Sequence, residues 1–190
     1  MSAQLSPRVK ELIAKARIVS FEGWQEQFGE GAISTLQAAD DERIYLGDAL
    51  LETMPASHIA RSLRDHASAI VDIARAQVLE EFPGITEPGG GLYPAIRADA
   101  CWRDFWHFLR CITYGIAAQR TDYTSVTGLS YMEQLYQELQ VPLGAMVFGL
   151  KSLKTVSKHH LAQLGVAVND DQLDPYFDHL IQALSQFQTT

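Results

Sequence analysis

Apolar positions along most of this chain return every three or four residues, and no segment alternates apolar with polar for long, so the pattern predicts an all-α protein. Ser6-Pro7 opens a first short helix, with Ser6 as N-cap, Pro7 at the first helical position, and Val9, Leu12 and Ile13 on its apolar side. Gly23, Gly29 and Gly31 then interrupt the pattern around Trp24 and Phe28. A second helix is predicted over 32–53, with Ile33, Leu36, Ile44, Leu46, Leu50 and Leu51 as apolar positions and Pro55 as its stop. Its Asp40-Asp41-Glu42 patch marks either a solvent face or a break. Ser57 is placed to cap a third helix reaching residue 82, in which Ile59, Leu63, Ile70, Ile73, Ala74 and Leu79 recur at helical spacing. Pro83-Gly84 stops it, and a Pro-Gly-Gly-Gly loop follows at 88–91. A central helix then runs to about residue 119. Further helices are predicted over about 124–139, from Pro142 to about 164, and from Asp174-Pro175 onward, the last with Phe177, Leu180, Ile181 and Leu184 on one side.

The central helix carries the candidate chemistry. Successive helical residues advance by roughly 100°, which puts Arg97, Cys101, Asp104, Phe108, Cys111, Ile112 and Gly115 on a single stripe. That stripe is predicted to be the buried face. Arg103 and Arg110 point to the opposite side, where long arginines can lie along apolar surface with the guanidinium in water. An Asp on a buried face needs a partner, because an unpaired buried carboxylate is costly or takes up a proton. One reading has Asp104 capping a neighbouring helix or pairing with an arginine from elsewhere, with Arg97 reaching water at the helix start. The other has Asp104 accepting hydrogen bonds from N–H groups of a ligand, one turn from a thiol able to hold that ligand covalently.

Composition narrows the function. A chain of 190 residues suits one domain with a real core, and a formal net charge of −8 argues against a nucleic-acid-binding surface. No run of 18 apolar residues could form a membrane span, and the first 20 residues hold no apolar run suited to a signal peptide, so a cytoplasmic protein without membrane insertion is expected. The two cysteines lie ten residues apart on one predicted helix, about 15 Å along its axis, too far for a disulfide. No Cys-x-x-Cys pair and no His/Cys spacing suggests a metal site. His58, His66, His107, His159, His160 and His179 are expected to be solvated or satisfied locally, and His107 lies well off the Cys101 stripe, which weakens a haem reading. The glycines at 89–91 lack the Gly-Lys-Ser/Thr of a phosphate-binding loop and follow a helix instead of a strand. No serine sits in a nucleophile-elbow sequence, so an enzyme is not expected.

The run from Pro88 to Gly115 has a distinctive order: Pro-Gly-Gly, a nearby Tyr93, Cys101-Trp102-Arg103-Asp104, then Phe108-Leu109-Arg110 and Thr113-Tyr114-Gly115. It resembles the chromophore-bearing segment of phycobiliproteins, and within that family is most similar to allophycocyanin alpha chains. The similarity continues through Gly128-Leu129, Leu135-Tyr136, Leu139, Val141-Pro142 and Gly149, so it covers roughly the second half of the chain. The resemblance implies a globin-like phycobiliprotein fold, read as one domain over 1–190 with an N-terminal helical extension over 1–30 and a core over 31–190. It also implies a bilin, a phycocyanobilin-type linear tetrapyrrole, attached to Cys101 by thioether. Asp104 would meet the pyrrole nitrogens, and Arg103 and Arg97 the propionates. Trp102, Trp106, Phe108 and Tyr114 are expected as walls, with Tyr93 covering the cleft. Implied partners are phycobiliprotein-like chains in a homo- or hetero-oligomer, and a bilin lyase or bilin-synthesis enzymes; the implied location is the cytoplasmic face of thylakoids.

The first 60 residues match that family pattern poorly. Trp106 and His107 stand where aspartate and tyrosine are usual, and Gln119-Arg120 where Gly-Asp is usual. Two alternatives therefore accompany a pigment-bearing antenna relative. One is a bilin-biosynthesis-associated globin with transient or no bilin binding; the other is a pigment-free interaction protein of the same fold, with Cys101 a plain buried thiol.

Overall fold

The computed structural model describes residues 5–188, and these form nine α-helices and one short 3-10 turn, with no β-strand among them. The first helix, α1 (Pro7–Lys15), begins where the Ser6 hydroxyl accepts a hydrogen bond from the Val9 N–H at 3.1 Å. An irregular stretch pins Trp24 in the core before α2 (Glu30–Asp41).

The predicted second helix is two pieces. Glu42 ends α2, Arg43 takes a left-handed φ of 57°, and α3 (Asp48–Leu51) is a single turn beyond a six-residue loop. The acidic patch was the signal for a break, since Asp and Glu at a helix C-terminus oppose its dipole. Ile44, expected on the apolar face, is 47% exposed on that loop.

The third predicted helix also divides. It becomes α4 (Ser57–Asp65) and α5 (Ala67–Glu81), joined at His66, whose φ of −113° and ψ of 12° are not helical. The break rotates the second half, so Ile70, Ala74 and Val78 form the buried row while Ile73 and Leu79 face outward. Spacing alone could not show this, because one continuous phase was carried across the junction.

The central helix, α6 (Ala95–Ala118), packs against α4, α5, α8 (Leu143–Gln163) and α9 (Asp174–Ser185). From Phe108 to Ala118 every residue is buried, so the predicted single stripe is only the outer half of the pattern. A helix surrounded by neighbours has no solvent face. Two glycines allow the close approach. A Cβ on Gly149 of α8 would overlap the Phe105 ring, and one on Gly115 would crowd Tyr123. The helix ends at Gln119, which adopts the left-handed φ of 54° that favours glycine.

The remaining helix, α7 (Val126–Glu138), is capped by the Ser125 hydroxyl, which accepts from the Gly128 N–H at 3.0 Å. Helix α1 lies along α7. Between them the chain is tied down just after α1: the Ser125 N–H donates to the Ile18 carbonyl at 2.8 Å, and the Ser20 N–H donates to the Tyr123 carbonyl at 2.9 Å. Among the described residues no helix is long and apolar enough to cross a membrane.

Candidate functional site

One side of α6 borders a cleft of about 260 Å³. Cys101, Asp104 and Phe108 form its floor, at the helical spacing that places them on one face. Met132, Leu135, Tyr136 and Leu139 of α7 form the facing wall, while Ile13, Ala16, Arg17 and Ile18 close it from the N-terminal segment. Leu92 and Val141 come from the two loops at its end.

The floor holds a thiol and a carboxylate that the protein only partly satisfies. Cys101 is buried and free. Its pKa is pushed up to about 12, first by burial and then by the negative charge of Asp104, with Arg97 opposing. Asp104 keeps one side-chain hydrogen bond, from the Tyr136 hydroxyl at 2.9 Å. Burial raises its pKa from 3.8 to about 6, against the Tyr136 bond and the charges of Arg103 and Arg43. At neutral pH Asp104 is therefore an anion with spare acceptor capacity, and Cys101 is a neutral thiol.

Arginines ring the opening. Arg43 and Arg103 are exposed and border the cleft. Arg97 also borders it, but one of its terminal nitrogens donates to the carbonyls of Gly91 at 3.1 Å and Gln140 at 2.9 Å. It thus clamps the glycine loop to the end of α7 as well as facing the cleft. The reading in which Arg97 simply reaches water is replaced by this double tie.

Four of the other expected residues lie outside the cleft. Trp106 is directed at Tyr45, ring centroids 4.7 Å apart and edge to face, and its carbonyl accepts from the Tyr45 hydroxyl at 3.2 Å. Two residues beyond Asp104, it is roughly 200° away around the helix. Tyr114 is fully buried; its hydroxyl donates to the Ile44 carbonyl and accepts from Arg110. Tyr93 is 48% exposed and does not border the cleft. Trp102 lies against Phe105 and under the guanidinium of Arg75. The residues brought together are Cys101, Arg103, Asp104, Arg97 and Phe108.

Arg110 departs from expectation most. It is buried instead of reaching water, pairing with Asp40 at 2.9 Å and donating to the Tyr114 hydroxyl at 2.8 Å. The broken end of α2 delivers Asp40 to α6, a contact with no local signal in the sequence.

Sequence reasoning also missed Tyr136, Arg43 and His107 as site residues. Tyr136 was visible only as one point in the family resemblance. Arg43 arrives through the break after α2, which the acidic patch left open as one of two readings. His107 borders the cleft, but its Nδ1 is buried without a partner, so it is not satisfied locally as expected. Burial, then the charges of Arg110, Arg43 and Arg103, push its pKa down to about 4, and the ring is neutral at pH 7. Among the described residues no group of three or more His, Cys, Asp and Glu could hold a metal.

An all-helical core whose central helix offers a thiol, an under-satisfied carboxylate and rim arginines to a cleft defines a ligand-carrying helical protein. Residues 34–184 match the family described as Phycobilisome protein, and the chain belongs to that family. It is 34% identical over 127 residues to the allophycocyanin subunit beta-18 of Nostoc sp., covering 67% of this chain and 75% of the relative. It is 32% identical over 155 residues to an allophycocyanin subunit alpha-B of Nostoc sp., covering 77% of this chain and 94% of the relative. Among solved structures it resembles a far-red fluorescent biliprotein derived from a far-red induced allophycocyanin F subunit of Chroococcidiopsis thermalis. That likeness has a TM-score of 0.63 and 27% identity, and covers 68% of this chain and 95% of the other. The fold is the globin-like phycobiliprotein fold, and the family is the one the Pro88–Gly115 run suggested.

Proposed function

We propose that this chain is an allophycocyanin-like, bilin-binding component of phycobilisome-type light harvesting, with a phycocyanobilin-type tetrapyrrole held by a thioether at Cys101. The observation that carries the reading is the shared floor of the cleft, where Cys101 sits one turn before an Asp104 anion with only the Tyr136 hydroxyl for company. A linear tetrapyrrole supplies apolar faces, N–H donors and two propionates, and when held extended it supplies visible absorption. Phe108, Met132 and Leu135 offer apolar contact, and Asp104 offers the acceptor for the N–H groups. Arg103 and Arg43 offer planar guanidinium forks to the propionates at the rim.

Cys101 would attach by net addition of its S–H across an exocyclic carbon–carbon double bond, forming one C–S and one C–H bond with no group leaving and nothing oxidised or reduced. With its pKa pushed up to about 12, the Cys101 thiol is almost wholly un-ionised at pH 7. The proposed partner for attachment is a bilin lyase, which would have to reach and activate a buried, neutral thiol. Membership of the family supports assembly with further phycobiliprotein-like chains. The same membership supports the cytoplasmic face of thylakoids as the proposed location.

The test is co-expression with bilin-synthesis enzymes and a lyase, followed by acid denaturation and zinc-enhanced fluorescence on a gel. Covalent fluorescence that disappears in Cys101→Ala is expected. Fluorescence that persists in Cys101→Ala would place the attachment elsewhere. A chain without fluorescence, and without absorbance change on titration with free phycocyanobilin, would overturn the pigment reading.

A further inference from the structure

The outer wall of the cleft comes from a segment that lies before the matched family region. Ile13, Ala16, Arg17 and Ile18 all precede residue 34, where the family match begins. Within this segment Ala16 and Ile18 pack against the contiguous hydrophobic core, whereas the buried residues of α1 do not join it. Val9 and Leu12 are buried at 6% and 0% exposure, yet neither belongs to the contiguous hydrophobic core that starts at Val19. What holds α1 is its face on α7 together with surface contacts: Arg8 donates to Gln134 at 2.6 Å, and the Lys15 ammonium lies 5.2 Å from the Tyr131 ring centre.

The two ends of the segment are anchored very differently. Beyond Arg17 the backbone is fixed by Ile18 and Ser20 to the 123–125 loop, with Val19 bridged to Thr124. Arg17 itself rests on Gly128 of α7, so closely that a Cβ at 128 would overlap the Arg17 carbonyl. Such an arrangement, fixed by backbone hydrogen bonds at one end and held elsewhere by packing of α1 on α7 outside the contiguous core, is of the kind that opens at lower free energy than the whole fold. The volume gives it a reason to open. About 260 Å³ lies just below the roughly 300–1,000 Å³ typical of ligand pockets, and Cys101, Phe108, Met132 and Tyr136 of the α6 and α7 walls belong to the contiguous core.

We propose that Pro7–Ile18 is a hinged arm that completes the ligand site: it lifts from α7 about Arg17–Ile18 to admit a ligand to Cys101 and closes over it afterwards. The identity of that ligand as a bilin rests on the function proposed above; the arm's control of access to Cys101 does not.

The test uses the full apo chain, a disulfide-exchange thiol reagent, and mass spectrometry to assign the labelled cysteine. Cys111 is fully buried in the core, so its labelling reports global unfolding. In the unaltered chain, Cys101 should label at least tenfold faster than Cys111, and at the rate set by opening of the α1 amides in hydrogen exchange. Gly128→Ala, which favours helix α7 while displacing Arg17, should raise Cys101 labelling at least tenfold and leave Cys111 unchanged. Leu12→Ala, at the arm's buried face, should do the same and serves if Gly128→Ala fails to fold. Equal labelling of both cysteines would overturn the proposal, as would Cys101 labelling indifferent to the substitution while α1 exchange rises. Because no pigment is used, a failed arm and a failed bilin reading give different results: the second would leave the labelling pattern intact and the zinc gel dark.

Discussion

Two carboxylates reach the same cleft from opposite directions and are treated in opposite ways. Asp40, 4% exposed, meets Arg110 at 2.9 Å, and Arg110 is in turn braced by Tyr114, whose hydroxyl passes the bond on to the Ile44 carbonyl. Asp104 has Tyr136 alone. The first pair fastens the end of α2 to the central helix, and its charges are matched. The second is held at a raised pKa, which means that the Tyr136 bond and the charges of Arg103 and Arg43 offset only part of the desolvation cost there. A matched buried charge belongs to the architecture, and an unmatched one beside a cleft marks where a ligand is meant to supply the missing donors.

Removing one member of the matched pair should have the largest effect. Arg110→Met leaves Asp40 buried without a counter-charge, and a loss of about 3–5 kcal/mol is expected in denaturant unfolding. Combining it with Asp40→Leu should restore most of that loss; a double variant as unstable as the single one would break the comparison.

Asp104→Asn should move stability the other way. Because the folded pKa of about 6 is above the ordinary 3.8, the fold binds the proton more tightly than the unfolded chain. The resulting stability is fully present below pH 4 and is lost as pH rises through 6. The Asn variant lacks this penalty, so the apo protein should gain on the order of 2 kcal/mol at pH 8 and nothing at pH 4. A pH-independent effect in paired thermal melts would show that Asp104 is as well matched as Asp40. In the pigment-loaded protein the same change should shift or bleach the red absorbance with little loss of helicity.

Tyr136→Phe is expected to be the mildest. It removes the one bond that lowers the Asp104 pKa, so the carboxyl should titrate higher still, by NMR, at a stability cost of about 1 kcal/mol. An unmoved titration would exclude Tyr136 as its partner.

The site was half legible along the chain. Cys101, Asp104 and Phe108 sit on one helical face by spacing alone, and the cleft floor uses that face. Trp106 and Tyr114 were expected in the cleft because they are aromatic and near, but the angular position of Trp106 and the hydroxyl partners of Tyr114 direct both into α2–α3 contacts. Tyr93 failed for a different reason: a loop residue has no helical phase from which to argue a direction.

Sequence alone determined the helical character, the capped start of α1, the stripe of Cys101, Asp104 and Phe108 on α6 and the family, because each depends on residues near one another along the chain or on their order. Only the tertiary structure decided that α2 breaks after Asp41, that Arg110 turns inward to Asp40, and that α1 folds back to wall the cleft. These depend on contacts between residues far apart in the chain, such as Arg110 with Asp40, 70 positions away, or Arg8 with Gln134, 126 positions away. Periodicity reports which face of a helix prefers to be buried, and it carries no information about which distant segment arrives to bury it.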